Sequence, residues 1–243
     1  MNVVFLGATS GMGEALSRQM AARGDRLFLL GRSADKLQRC AQDLEVRGAI
    51  GGVAHTHCDL EDTSTFPAAM DAAVAELSHI DTVVVTAGFF ATQDELEADS
   101  SLAERLTRIN FTNTVVFCET ARAHIRKNGT LCVFSSVAGE RGRKPVVIYG
   151  ASKAGLSSYL EGLDHKYRRD GLRVVTVKPG FVRTEMTEGL DAPPFAGEPD
   201  DVARRVLSAI DRGTPVVYAP APWGAIMAVI RRLPRAVMRR VGF

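Results

Sequence analysis

Short runs of apolar residues alternate along this chain with longer stretches in which apolar positions return every three or four residues. The short runs fall near 2–7, 26–30, 52–58, 81–86, 129–135, 172–178 and 214–218, and the longer ones near 11–23, 34–48, 64–78, 100–127, 149–169 and 199–212. Runs that are apolar throughout, rather than alternating, are those of strands covered on both faces. Strand and helix patterns taken in turn predict an α/β fold: a doubly wound parallel sheet of about seven strands with helices on both faces. No internal repeat, low-complexity segment or linker interrupts the pattern. Residues 1–243 are read as one domain, in which 221–243 form a basic, amphipathic C-terminal segment.

Composition narrows the class without naming a chemistry. At 243 residues, with 46% hydrophobic and 24% charged, the chain can bury a sizeable core and matches ordinary globular usage. No stretch reaches the ~20 apolar residues that cross a bilayer, and Asn2–Leu6 is read as a strand rather than a leader because no basic region precedes it. Cys40, Cys58, Cys118 and Cys132 are scattered, which predicts reduced thiols and a cytoplasmic setting. His55 and His57 alternate as on one strand face, but no third ligand accompanies them, and no metal site is expected. Nothing resembles a nucleic-acid-binding motif. Charge is uneven: from Arg212 onward the chain has six arginines and no acid, while the other 24 cations face 28 acids.

The chemistry concentrates between Ser135 and Lys153. If Tyr149 opens a helix, Lys153 lies four residues on, one turn later on the same face. A phenol with its usual pKa of about 10 exchanges protons poorly near neutrality, and a neighbouring ammonium is expected to bring it down. Ser136, on the loop after an apolar strand, can donate a hydrogen bond to a substrate oxygen as that oxygen gains charge. An acid, its tuner and an electrophilic clamp point to carbonyl chemistry. Near the N-terminus, Gly7-Ala8-Thr9-Ser10-Gly11-Met12-Gly13 joins a strand to a helix. Its glycines permit a tight turn, and the helix start offers free N–H groups to a pyrophosphate. After the second strand come Arg32 and Ser33 with no acid before Asp35; a guanidinium there suits a 2′-phosphate and favours NADP(H) over NAD(H).

Tyr-x-x-x-Lys with a serine thirteen residues upstream, the glycine turn, and Pro179-Gly180 together resemble the short-chain dehydrogenase/reductase superfamily over essentially the whole chain. The resemblance implies a Rossmann-like fold and an NAD(P)H-dependent oxidoreductase acting on a ketone. It assigns Ser136, Tyr149 and Lys153 to catalysis and Asn110 to a proton relay. It adds Asp59 and Leu60 at the adenine, Ala87 and Gly88 beside the cofactor, and Pro179, Gly180, Val182 and Thr184 around the nicotinamide. Gly7, Thr9, Ser10, Gly11, Met12 and Gly13 form the phosphate turn; Tyr149 and Lys153 also touch the cofactor. Two positions depart from the family pattern: Leu6 stands where threonine is usual, and Thr86 where asparagine ties the central strand to its neighbour. Homodimers or homotetramers built on the helices near 100–127 and 149–169 are implied as well.

Between serine and tyrosine, Arg141, Arg143 and Lys144 are placed to face an anionic substrate. The irregular stretch Glu185–Pro199 is read as a lid beside the site. Ile226, Met227, Ile230 and Leu233 recur at helical spacing amid arginines, which suits either an anionic membrane surface or packing on the protein itself. The serine loop and this tail are similar to one branch of the superfamily, that of decaprenylphosphoryl-2-keto-ribose reductase. That likeness implies a lipid-linked keto sugar as substrate and peripheral contact with the inner membrane face through 222–243. A ketoreductase for acyl or small-molecule ketones, or a non-catalytic dinucleotide sensor, are the other readings.

Overall fold

The structure, a computed structural model, describes residues 1–193 and 195–240. Seven strands, β1 (Asn2–Leu6), β2 (Arg26–Gly31), β3 (Val53–His57), β4 (Ile80–Val85), β5 (Ile125–Phe134), β6 (Arg173–Pro179) and β7 (Val216–Ala219), pair in parallel in the order β3-β2-β1-β4-β5-β6-β7. The order reverses between β1 and β4, where Leu6 sits in register with both Leu30 and Val85. In open sheets of this kind ligands bind beyond the C-terminal ends of the strands at that reversal.

Strand alternation sends neighbouring residues to opposite layers. Val3 and Phe5 pack with α1 (Gly11–Ala22), α2 (Ala34–Val46) and α8 (Pro199–Arg212) through Leu16, Met20, Leu44 and Ile210. Val4 and Leu6 face the other way, toward α3 (Thr65–Leu77), α6 (Thr114–Arg122) and α7 (Val147–Tyr167), where Phe66 and Phe117 meet edge to face at 5.3 Å. Both faces of the sheet are thus covered, as the unbroken apolar runs require.

One predicted element is different. The helix expected over 100–127 is three pieces: α5 (Ser100–Thr107), a π-helical turn at Arg108–Asn113, and α6, which ends at Arg122. A further helix, α4 (Gln93–Ala98), precedes them, closed by a capping box between Thr92 and Glu95. Residues 125–128 belong to β5, with Ile125 paired to Ile80 and a register shift before Thr130. Arg126, Lys127 and Asn128 are exposed there, so the strand's start has the polar look of a helix surface. The tail forms α9 (Pro222–Ile230) and α10 (Arg235–Met238); residues 241–243 of the predicted amphipathic segment, and Pro194 of the predicted lid, lie outside the described residues.

Candidate active site

β5 delivers two adjacent serines to its C-terminal end, and alternation separates their roles. The Ser135 hydroxyl donates to the Lys153 carbonyl at 3.0 Å and lies 2.7 Å from the Ser157 hydroxyl, which pins α7 to the sheet. Ser136 accepts from the Ala138 N–H at 3.1 Å, leaving its own proton free, and the hydroxyl is near enough to Tyr149 to hold the phenol pKa down against the larger effect of burial. This approach needs glycine. A Cβ on Gly139 would stand 2.6 Å from the backbone of Lys153 and Ala154, so any side chain there would push the serine loop off α7.

Tyr149 and Lys153 occupy one face of the first two turns of α7, as their spacing predicts. The Tyr149 ring stacks edge-on against Phe90 at 5.2 Å. The Lys153 ammonium lies 5.9 Å from the Tyr149 ring centroid and donates to the Phe134 carbonyl at 3.1 Å. Here the expectation that lysine lowers the phenol pKa is corrected. Burial pushes Tyr149 up to about 12, opposed by the Ser136 hydrogen bond, and burial takes Lys153 down to about 8. The amine is turned to a carbonyl and faces the ring, so desolvation outweighs its attraction for a phenolate. At neutral pH Tyr149 therefore holds its proton, the form an acid needs, and Lys153 exchanges protons close to neutrality.

The buried lysine has a measurable signature. Because its folded pKa lies below the ordinary 10.5, the folded protein binds fewer protons than the unfolded chain between about pH 8 and 10.5. Its cost to stability is full below pH 8 and shrinks as pH rises, by up to about 1.4 kcal/mol per unit. Tyr149, raised above its ordinary 10.0, acts oppositely but only from about pH 10 upward. Urea unfolding between pH 7 and 10 should show the wild type gaining on Lys153→Met as pH rises; a constant gap would refute the buried amine.

Asn110 is fully buried in the π-helical turn, and its amide accepts from Phe89 N at 2.7 Å and donates to Phe89 O at 2.6 Å. The wider turn accounts for an asparagine inside a helical segment, and the Thr114 hydroxyl satisfies the Ile109 carbonyl at 2.7 Å. A Cβ on Gly88 would stand 3.2 Å from Asn110 Oδ1 and 3.7 Å from Lys153 Nζ, so the three meet as expected. The side chain's observed work is nevertheless to position the 88–90 segment.

A cleft of about 580 Å³ opens at the strand reversal; Phe90 on its wall meets the Tyr149 ring, while Ser136, Tyr149 and Lys153 stand next to the cleft rather than on its wall. Gly7, Thr9, Ser10, Gly11, Met12 and Gly13 line it from the first turn. Arg32, Asp59 and Leu60 line it beyond β2 and β3, Ala87 and Gly88 beyond β4, and Thr184 beyond β6. The turn fits a dinucleotide pyrophosphate. A Cβ on Gly13 would overlap the Gly7 carbonyl, and Ser10 makes no side-chain cap, so the first N–H groups of α1 are not consumed by it. Thr86, standing where the family has asparagine, still ties its strand to the neighbouring turn: its hydroxyl donates to the Gly7 carbonyl at 2.8 Å. Asp59 Oδ1 accepts from Glu61 N at 2.9 Å, ordering the loop after β3.

Six predicted cofactor residues are not on the cleft wall: Ser33, Tyr149, Lys153, Pro179, Gly180 and Val182. Ser33 instead caps α2, accepting from Lys36 N at 3.4 Å. Pro179 and Val182 are buried behind the wall, and Gly180 lies against the Trp223 indole, which a Cβ would overlap. Glu61, Phe89, Phe90 and Arg105 line the cleft without any sequence signal marking them. Glu61 and Arg105 are hydrogen-bonded across 44 residues, a separation no local motif can encode.

The basic loop does not present one cationic face. Arg141 donates to the Leu233 carbonyl at 2.6 Å, Lys144 is exposed, and Arg143 is half-buried with an Nε that has no acceptor among the described residues. Burial lowers the Arg143 pKa. Glu140 is a hub: with its side chain 3% exposed, it accepts from Lys178 Nζ and Tyr218 OH, both at 2.7 Å, and lies 3.6 Å from Arg231. Met227 and Ile230 of α9 pack on Val137, and the Trp223 N–H donates to the Phe195 carbonyl of the lid at 3.3 Å. The tail therefore packs on the protein's own serine loop and lid, with Arg231 beside Glu140 and Arg232, Arg235, Arg239 and Arg240 exposed. Among the described residues no helix is long and apolar enough to cross a membrane.

Residues 1–194 match the sequence profile of the short chain dehydrogenase family. The chain is 34% identical over 242 residues to an uncharacterized oxidoreductase of Mycobacterium tuberculosis, covering 98% of this chain and 96% of that protein. It is 33% identical over 244 residues to another uncharacterized oxidoreductase from Streptomyces coelicolor, covering 99% and 95%. Among solved structures it resembles a blue fluorescent protein from a metagenomic library in complex with NADPH. That likeness has a TM-score of 0.80 and 26% identity, over 90% of this chain and 96% of that one.

Proposed function

The chain belongs to the short-chain dehydrogenase family, and from that premise we propose that it is a ketone reductase preferring NADP(H). The observation that carries this is the Ser136–Tyr149–Lys153 group standing next to a cleft whose glycine turn fits a pyrophosphate. The first turn and the N-terminus of α1 would hold the phosphates, Asp59 and Leu60 the adenine, and Pro179, Gly180, Val182 and Thr184 the nicotinamide end. When bound, the dinucleotide supplies the hydride.

The protein's own groups handle the oxygen. Ser136 donates to the substrate carbonyl as it gains charge, and Tyr149 Oη transfers its proton to that oxygen. Lys153, with its pKa near 8, is suited to return a proton to the tyrosine. Asn110 keeps Gly88 and Phe89 in place so that Lys153 retains its position.

For the substrate we favour a ketone bearing an anionic group, such as a lipid-phosphate keto sugar. Arg143, half-buried and without a carboxylate partner among the described residues, supports an anion beside the site, and the exposed Arg232, Arg235, Arg239 and Arg240 of the tail support an anionic bilayer surface. A second reading, an acyl or small apolar ketone, draws on Met186, Leu190 and Phe195, which are exposed on the lid. Self-association through α5, α6 and α7 accompanies either.

A panel of carbonyl compounds, including a lipid-phosphate ketose and small diketones, followed by loss of NADPH or NADH absorbance, tests the proposal. Turnover of the phosphorylated ketose with NADPH is expected. Activity on apolar ketones alone would replace the substrate reading, and no turnover of any carbonyl would remove the reductase. Binding to anionic vesicles that survives truncation before Pro222 would remove the tail from the account.

A further inference from the structure

At the end of the cleft lined by Arg32, one carboxylate is shared by two guanidiniums. Arg105, on α5, donates to Glu61 through Nε at 2.9 Å and Nη2 at 2.6 Å, while Arg32 donates a single bond through Nη1 at 3.1 Å. The two arms differ in strength. The Arg105 contact is two-pronged and its guanidinium is also seated over the Phe89 ring at 4.9 Å; the Arg32 side chain is 63% exposed. Hydrogen bonding from Arg105 holds the Glu61 carboxyl below the usual range, so it is charged throughout the neutral region. Its main chain is fixed too, by the bond from Glu61 N to Asp59. All three charged side chains line the cleft.

We propose that Glu61, clamped by Arg105, is the residue that sets how strongly this protein discriminates NADP(H) from NAD(H), by competing with the 2′-phosphate for Arg32. The proposal rests on reading the cleft as a dinucleotide site. A phosphate dianion arriving there meets two cations and one anion. It must take Arg32 from Glu61 and tolerate that carboxylate nearby, which weakens its binding. A ribose 2′-hydroxyl meets the opposite situation, since Glu61 can accept its hydrogen bond. Arg105 decides how far Glu61 leans toward Arg32: with Arg105 present the carboxylate has a better partner, and without it Arg32 becomes its only one. The acid that would mark an NAD(H) site directly after β2 is absent from this sequence, but one arrives from the loop after β3.

Binding separates the possibilities without turnover. Dissociation constants are measured by calorimetry for NADPH, NADH, adenosine 2′,5′-bisphosphate and adenosine 5′-monophosphate. The proteins compared are wild type, Glu61→Gln and Arg105→Gln, with thermal unfolding of each recorded alongside. Glu61→Gln should tighten NADPH and the bisphosphate about fivefold to tenfold and change NADH and the monophosphate by less than twofold. Arg105→Gln should shift the same ratio the other way, weakening the 2′-phosphorylated ligands several-fold more than the others. Arg105→Gln also removes one of the two cations that the phosphate meets, so Glu61→Gln decides the role of Glu61, with Glu61→Ala, which should tighten the same two ligands, as the second variant should Glu61→Gln misfold. Equal changes for ligands with and without the 2′-phosphate would overturn the role of Glu61 while leaving the dinucleotide site standing. Failure of wild type to bind any of the four would overturn the site itself.

Discussion

Tyr149→Phe is expected to lower kcat for carbonyl reduction by about 10²- to 10⁴-fold, the range for loss of a positioned acid. The substitution removes one oxygen and keeps the ring. Its edge-on contact with Phe90 at 5.2 Å and its packing against the buried cluster of Ala91, Leu96 and Leu106 survive. What disappears is the phenol beside Ser136, with a pKa that keeps it protonated at neutral pH. Because the phosphate turn and the Arg32 end of the cleft are built from other elements, the dissociation constant for NADPH should change by less than about threefold. Stopped assays for turnover and a fluorescence titration for binding separate the two. Retained turnover would refute the acid assignment; lost binding would mean that the hydroxyl holds the cofactor more than it serves the carbonyl.

Glu140→Ala is the change expected to harm stability most among those near the site. It strips the shared acceptor from Lys178, which is 14% exposed, and from the Tyr218 hydroxyl, and it releases Arg231 of the tail. Removing one member of a buried ion pair costs about 3 to 5 kcal/mol, because the charge left behind has lost its counter-ion. In a domain of this size that corresponds to a fall in Tm of roughly 6 to 20 °C. Activity should fall as well, since Glu140 lies four residues after Ser136 and fixes the loop against β6, β7 and α9. Glu140→Gln retains a carbonyl acceptor for Lys178 and should recover part of both losses. Thermal unfolding of the two variants beside wild type checks this, and an unchanged Tm in Glu140→Ala would show that the hub is not coupled to the fold.

Much of the catalytic side was legible because it is encoded locally. A helix repeats its face every four residues, so Tyr149 and Lys153 had to share one side of α7 once a helix formed. The glycine turn was equally local, since Gly7 to Gly13 spans a single strand-to-helix junction. The failures were of another kind. The stretch 100–127 carries helical periodicity throughout, yet a π turn forms where the Asn110 amide finds both backbone groups of Phe89, a partner 21 residues away. The direction of the Tyr149 and Lys153 pKa shifts was missed because spacing gives adjacency but not burial, and burial dominates both. The tail's cations read as an appendage because its inward face, Met227 and Ile230, meets residues almost a hundred positions earlier.

The sequence alone determined that a parallel sheet would form, that its first turn would suit a phosphate, and that an acid and an amine would stand together on one helix. Each follows from periodicity or from contacts within a few residues, where covalent geometry leaves little choice. Only the tertiary structure decided that Glu61 lies between Arg32 and Arg105, that Glu140 gathers Lys178, Tyr218 and Arg231, and that the tail closes on the serine loop. Those pairings join elements far apart in the chain. Which charge meets which depends on how strands order and helices pack, and a linear pattern carries no record of that.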